Sequence, residues 1–384
     1  MKNITNDVFY VGVDDKDIDL FENQYVVPNG MAYNSYVIMD DKIAIMDMVD
    51  AKCAKEWFSN VDEVLNGKQP DYMIISHLEP DHSVNLAEVI EKYPDMKLVS
   101  NAKLFGMLAN FFDISVADRS ITVAEGDTVV LGTHTLQFFM APMVHWPEVM
   151  VTYEQSEKIL FSADAFGKFG TLDTDEDWAC EARRYYFNIV GKYGAPVQAL
   201  LKKTANLDIQ KICALHGPIL EENLEYYIGK YQIWSSYGVE DPGVFIAYCS
   251  LHGNTEKAAE KLAEILETKG VPKVSIADLS REDMAECIED AFRYDRLVLA
   301  APTYDGSMMP VMADFINHLK LKAYQKRKVG FIENGSWAPM SGKLMKEQMA
   351  ALKDMEIIDE VVTIRSAFKD SDIANLEMLA EKLL

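Results

Sequence analysis

Five short apolar runs in the second part of the chain, each followed by a segment of helix length, constrain the fold more than any other feature. They are VFIAYC (residues 244–249), KVSIADL (273–279), RLVLAAP (296–302), KVGFIENG (328–335) and IIDEVVTIRSA (357–367). Runs with so little alternation predict strands covered on both faces, and the intervening helices supply the cover. The expected product is an α/β fold, a doubly wound parallel sheet of five strands. Turn residues cluster at Ser235-Ser236-Tyr237-Gly238 and Asp241-Pro242-Gly243, which divides the chain into an expected first domain, 1–240, and a second, 241–384.

The first domain has another rhythm. YNSYVIMD (33–40) and KIAIMDMVD (42–50) flank Asp40-Asp41 and read as short strands about a turn. YMIIS (72–76) and KLVSN (97–101) then alternate with helical stretches over 84–92 and 103–112. A further strand-rich block holds TVVLGTHTLQFFMA (128–141), VMVTYE (149–154) and KILFSAD (158–164). Strand blocks interleaved with helices predict a layered α/β domain.

Composition narrows the partners. The 37 basic and 61 acidic side chains give a formal charge of −24, which repels phosphate backbones and anionic lipid, so neither nucleic acid nor membrane is expected. The five cysteines are an odd number without a C-x-x-C pair, which disfavours a disulfide framework or a thiolate metal cage. The first residues, MKNITNDVFYVGVDDKDIDLFEN, lack the apolar core of a secretory signal, and a cytoplasmic protein with reduced thiols is expected.

The densest chemistry is HLEPDH, where His77, Glu79, Asp81 and His82 fall within six residues just after a strand. Imidazole and carboxylate ligands so close together can converge on one metal ion from a loop, and Pro80 is expected to keep the segment from becoming regular helix. A solvated acidic turn is the plainer explanation, but it has no need of two bracketing histidines. His145, Asp164 and His216 stand at comparable strand ends and complete four imidazoles and three carboxylates. His134 and His318, among apolar neighbours, read as structural.

The other constellation is SLHGNT (250–255), between the first apolar run of the second domain and its helix. Small hydroxyl residues, a glycine and free N–H groups at a helix N-terminus make an anion cradle. Neither G-K-[ST] nor G-x-G-x-x-G is present, which disfavours a Walker loop and a dinucleotide.

These motifs resemble a known family. H-x-E-x-D-H is similar to the H-x-H-x-D-H signature of the metallo-β-lactamase-like fold, with Glu79 where hydrolases of that fold carry histidine, and S-x-x-G-N-T resembles the phosphate loop of flavodoxin. Together with YNSY (33–36), HWPE (145–148), LFSADAFGKFG (160–170), EARRYYFNI (181–189) and LHGP (215–218), they resemble flavodiiron proteins over essentially the whole chain. The resemblance implies a metallo-β-lactamase-like αββα sandwich followed by a flavodoxin-like domain. It implies that His77, Glu79 and His145 hold one iron, that Asp81, His82 and His216 hold the other, and that Asp164 bridges them. Val144 and Glu148-Val149 depart from the family wording and are expected to touch the pocket wall rather than the ligands. On the same resemblance Ser250, His252, Gly253, Asn254 and Thr255 bind the phosphate of FMN. The loops Pro302, Thr303, Tyr304, Asp305, Gly306 and Asn334, Gly335, Ser336, Trp337 enclose its ring, with Tyr304 and Trp337 as aromatic surface or as ordinary loop aromatics.

The implied activity is reduction of O2 to water or of NO to N2O at a non-haem di-iron site supplied by FMN. A flavin and a metal pair carrying two electrons each deliver the four that O2 needs. The implied assembly is a head-to-tail homodimer or a dimer of dimers. Without a C-x-x-C pair after the flavodoxin part, a separate electron donor is expected, such as rubredoxin or a reduced deazaflavin. Two alternatives remain open to the sequence: a zinc hydrolase with an accessory flavodoxin-like domain, and an electron-transfer flavoprotein whose first domain has lost its metals.

Overall fold

The computed structural model describes residues 2–384. The chain divides into two compact units, the first reaching Gln232 and the second spanning Ile233–Leu384. Among the described residues no helix is long and apolar enough to cross a membrane.

The first unit carries sixteen short strands: β1 (Lys2–Asn3), β2 (Val8–Tyr10), β3 (Val13–Asp15), β4 (Leu20–Phe21), β5 (Tyr25–Val26), β6 (Met31–Tyr33), β7 (Tyr36–Ile38), β8 (Ala44–Met46), β9 (Tyr72–Ile74), β10 (Lys97–Asn101), β11 (Ser120–Val123), β12 (Thr128–Val130), β13 (Thr135–Met140), β14 (Met150–Glu154), β15 (Ile159–Phe161) and β16 (Lys211–Cys213). Two main sheets result, one of seven strands in the order β1-β2-β7-β8-β9-β10-β11 and one of five in the order β12-β13-β14-β15-β16, while β3 pairs with β6 and β4 with β5 as two-stranded ribbons. A single apolar cluster takes Tyr36, Ile38, Met46, Ile74 and Val99 from the first sheet and Leu136, Phe138, Met150, Ile159 and Phe161 from the second. The core therefore lies between two sheets packed face to face, as expected for apolar faces that must leave water.

Strand direction decides where the candidate ligands gather. β15 and β16 are parallel, with Phe161 opposite Cys213, so the loops carrying Asp164 and His216 leave the same end of one sheet. β8 and β9 are likewise parallel, with Met46 opposite Ile74, so Asp47 emerges beside the loop that carries His77.

Three local readings change. The strand expected over 42–50 stops at Met46, because Asp47 takes a left-handed φ of 54° and turns its carboxylate onto the Ser76 N–H at 2.6 Å. The stretch 128–141 is a hairpin of β12 and β13. Its turn includes Gly132, whose φ is 146° and whose position would set a Cβ 2.4 Å from an Asp40 oxygen. Pro80 does not prevent a helix in HLEPDH but starts one, Pro80–Ser83, since a proline at the first helical position has no N–H to lose.

The YNSY segment secures the loop opposite. Asn34 Nδ2 donates to Ala214 O and Gly217 O, each at 2.8 Å, and Tyr36 Oη donates to Ala214 O at 3.0 Å. Asn34→Ala leaves buried carbonyls short of a donor and should cost about 1–3 kcal/mol, read as a lowered urea midpoint with unchanged m.

The second unit has one main parallel sheet of β17 (Asp241–Tyr248), β18 (Val274–Asp278), β19 (Tyr294–Tyr304), β21 (Lys328–Asn334) and β22 (Glu356–Ile364), with β20 (Ser307–Met308) paired to β19. The order β18-β17-β19-β21-β22 is that of flavodoxin-like folds. The helices Asn254–Thr268 and Ile373–Leu383 bury Leu262, Leu266, Leu376 and Leu379 in one cluster with Val244, Ile246 and Val298. All five expected strands are present, and the expected α/β class holds in both units.

Candidate metal centre and anion cradle

Seven side chains meet in the first unit as two sets: His77, Glu79, His145 and Asp164, and Asp81, His82 and His216. In the first set Glu79 Oε2 lies 3.1 Å from His77 Nε2 and 3.0 Å from His145 Nε2. In the second, Asp81 Oδ2 lies 3.3 Å from His82 Nε2 and 3.4 Å from His216 Nε2. Asp164 reaches both. Its Oδ2 is 3.3 Å from His77 Nε2 and 3.5 Å from His145 Nε2, while its Oδ1 is 3.6 Å from both His82 Nε2 and His216 Nε2. One carboxylate thus turns a different oxygen to each set.

The surroundings hold this arrangement. Glu148 Oε1 accepts from His77 Nδ1 at 2.8 Å and from the Leu78 N–H at 3.0 Å, and the Glu148 carbonyl accepts from Asn101 Nδ2 at 2.7 Å. His216 Nδ1 contacts Ala32 O at 2.8 Å. Each contact leaves the Nε2 of its histidine facing inward. Tyr185 Oη, on the helix Trp178–Tyr185, donates to Asp164 Oδ1 at 3.2 Å.

The charges are strongly coupled. Burial alone raises the Glu79 and Asp164 carboxyls, yet histidine contacts hold both well below the usual carboxylate range. Burial lowers His77 and His82, yet Asp164 chiefly pushes His77 well above its ordinary value, and Asp81 chiefly pushes His82 up to about 9.

The donor set fits metal ions. Both Asp81 oxygens and Asp164 Oδ2 are buried without a hydrogen-bond partner, and His82 and His216 oppose Nε2 to Nε2 at 3.0 Å. Buried acceptors without donors are costly unless a cation takes their lone pairs. Imidazole with carboxylate is a ligand mixture suited to iron and, by ligand type alone, equally to zinc.

Glu148 corrects an expectation: it does not merely line the pocket wall but touches a candidate ligand. It is 1% exposed, and its signal in the sequence was a carboxylate three residues after His145. His134 also differs from its reading, since it lies 3.1 Å from the buried Glu154 rather than among apolar groups alone. His318 is partly exposed beside Asp314, at 3.8 Å.

In the second unit a cavity of about 500 Å³ is lined by Ser250, His252, Asn254, Thr255, Pro302, Thr303, Asn334, Gly335, Ser336 and Trp337, all from the three expected loops. Gly253 stands at the N-terminus of the adjoining helix, whereas Tyr304, Asp305 and Gly306 do not line the cavity. Leu251, Ser366 and Ala367 also line it. The last two follow β22, and their sequence signal was only their place at a strand's carboxyl end. Asn334 locks that loop by donating from Nδ2 to Ser366 O at 3.0 Å and accepting the Ser366 N–H at 3.1 Å.

The cradle fits an anion with a flat aromatic group beside it. Ser250 Oγ is buried without a partner, the helix Asn254–Thr268 begins there, and the Trp337 side chain stands 91% exposed at the rim. Gly253 has φ 79°, so Gly253→Val should strain the loop by about 1–2 kcal/mol and weaken FMN binding roughly tenfold, measured by flavin fluorescence titration.

Comparison with known proteins agrees with both units. Residues 31–217 match the ODP family beta lactamase, and residues 245–359 match a flavodoxin domain. An uncharacterized protein of Methanocaldococcus jannaschii is 30% identical over 387 residues, covering 99% of this chain and 97% of its own. The nitric oxide reductase of Moorella thermoacetica is 28% identical, with 99% and 97% covered. Among solved structures, rubredoxin oxygen:oxidoreductase from Desulfovibrio gigas superposes with a TM-score of 0.92 at 24% identity, covering 100% of this chain and 97% of that one. The flavodiiron protein from Giardia intestinalis gives 0.91 at 22%, with 99% and 96% covered. These likenesses establish the fold.

Proposed function

The chain belongs to the flavodiiron protein family, and from that premise we propose that it is an oxidoreductase that reduces O2 to water or NO to N2O. The observation that carries this reading is Asp164, whose two oxygens face two separate sets of histidine and carboxylate. A bridge of that kind suits a metal pair that binds a diatomic molecule.

Under this reading His77, Glu79 and His145 hold one iron, Asp81, His82 and His216 hold the other, and Asp164 joins them. Ser250, His252, Gly253, Asn254 and Thr255 hold the phosphate of FMN. Pro302, Thr303, Asn334, Gly335, Ser336 and Trp337 face its ring, with Tyr304, Asp305 and Gly306 in the turn beyond. When bound, FMN supplies electrons and the iron pair supplies the site of gas reduction.

The chain's own residues prepare that chemistry. Glu148 fixes His77 so that Nε2 points inward, and Ala32 O does the same for His216. Tyr185 donates its hydroxyl hydrogen to Asp164 Oδ1 and so orients that carboxylate. Phe21 and Tyr33 set their rings edge-on against His216, at 5.4 and 5.6 Å between centroids, and keep water from that side.

The proposed setting is cytoplasmic, with a head-to-tail homodimer or a dimer of dimers and a separate electron donor such as rubredoxin or a reduced deazaflavin. The discriminating experiment is anaerobic purification with iron, zinc and FMN measured per chain. Iron with FMN supports the reductase; zinc without flavin overturns it in favour of a hydrolase.

A further inference from the structure

At the other end of β15 from Asp164, a histidine and two glutamates meet between two hairpin turns. His134 lies in the turn from β12 to β13, Glu154 ends β14, and Glu157 lies in the turn that leads to β15. Each of the three offers a ligand atom within 4.8 Å of the others. Glu157 precedes β15 and Asp164 follows it, so this cluster is separate from the seven candidate ligands.

The turns hold the three residues in place. The Asp40 carboxylate accepts the His134 N–H at 2.7 Å, Ser156 Oγ donates to Thr133 O at 2.7 Å, and the Gln155 N–H donates to Thr135 O at 3.0 Å. Glu154 is fixed by its own turn: Oε1 accepts the Ser156 N–H at 2.8 Å and Oε2 accepts the Glu157 N–H at 2.6 Å.

What the turns do not supply is a partner for the imidazole. His134 is 2% exposed and Glu154 0%, yet neither ring nitrogen has a hydrogen-bond partner among the described residues. Nδ1 comes within 3.1 Å of Glu154 Oε1, but not along a hydrogen-bond direction. Glu157 Oε2 is likewise buried without a donor. Buried lone pairs that converge in this way are costly unless a cation takes them. Atoms bound to one zinc ion at about 2.0–2.2 Å sit roughly 3–3.5 Å from one another, and Nδ1 and Oε1 have that spacing. On the far side of the ring Nε2 faces Asp7 Oδ2 at 3.8 Å, a carboxylate placed where ligating histidines commonly turn their second N–H.

We propose that His134, Glu154 and Glu157 form a metal site distinct from the candidate pair, which takes one zinc-class dication and ties the two hairpin turns together. One imidazole with two carboxylates is a donor set that zinc accepts, and the charge of the dication balances that of the two carboxylates. Bound there, the ion cross-links turns that are otherwise joined by hydrogen bonds, so it stabilises the fold and has no part in gas reduction.

The test titrates iron-loaded, FMN-replete protein against buffered free zinc, with bound zinc and iron measured per chain by elemental analysis. Glu157→Gln preserves the size of a half-buried turn residue and should fold normally. Loss of a group that only orients a ligand costs about 10–100-fold in metal affinity, so loss of this ligand should raise the half-saturating zinc concentration about a hundredfold. At the free zinc that fills wild type, Glu157→Gln should hold one zinc fewer per chain, with iron, FMN and gas turnover unchanged. His134→Ala should lose the same zinc. Zinc should also raise the thermal midpoint of wild type and leave that of Glu157→Gln in place. Equal zinc uptake by wild type and Glu157→Gln would overturn the inference and leave His134 and Glu154 as a buried ion pair. The readout is a difference between two proteins with the same candidate pair, so it stands whichever metal that pair of sites binds.

Discussion

Asp164→Ala should lose or disorganise its iron while keeping FMN. Removing the side chain takes one oxygen from each set of candidate ligands at once, and Tyr185, which contacts it, is a hydrogen-bond donor there and no replacement. The loop itself should survive, since Ser162 Oγ donates to Ala165 O at 2.6 Å and the Leu215 N–H to Ala163 O at 2.9 Å. Gas turnover should fall about a hundredfold or more, the scale at which a metal pair stabilises developing charge. Circular dichroism should be unchanged, and flavin content should stay at the wild-type level because the cradle lies in the other unit. Full iron content together with full turnover would show that Asp164 does not bridge.

Glu148→Ala comes second. Its carboxylate fixes the His77 ring and caps the Leu78 N–H, so alanine frees the ring to rotate and leaves a buried N–H without its acceptor. Loss of a partner that orients a ligand typically costs 10–100-fold in metal affinity, and about that loss is expected here. Chelator competition measures it. Glu148→Gln still offers a carbonyl oxygen to Nδ1–H but no charge, so it should recover most of the affinity and shift the reduction potential of the iron pair, followed by EPR-monitored titration. A purely structural role would leave that potential in place. Equal affinity in wild type and Glu148→Ala would remove the residue from the account.

What could be read from the sequence depended on how local the cause was. The parallel sheet of the second unit was legible because its strands are apolar runs, buried on both faces in β17, β19 and β21, although the edge strands β18 and β22 stay partly exposed. HLEPDH was legible because its four ligand-type residues fall within six positions. The gathering of His145, Asp164 and His216 beside them could be inferred from the residues only as a set of similar strand ends. Their meeting depends on the parallel register of β15 with β16, which joins residues about fifty positions apart.

The role of Glu148 was hidden for a related reason. Its partner His77 lies 71 positions away, and its effect depends on side-chain reach rather than on a spacing. Asp47 was read as part of a strand because its neighbours are apolar, whereas its carboxylate leaves the strand to meet Ser76. Burial pushes that carboxyl up to about 6, a cost that no strand propensity reveals.

The most direct test of the central claim is gas consumption by anaerobically reduced, iron-loaded and FMN-replete protein, with O2 and NO supplied in parallel and Asp164→Ala beside wild type. The account predicts catalytic consumption of at least one gas, with water or N2O as the product, abolished in the variant. Wild-type protein that holds iron and FMN yet consumes neither gas faster than free reduced flavin would contradict it.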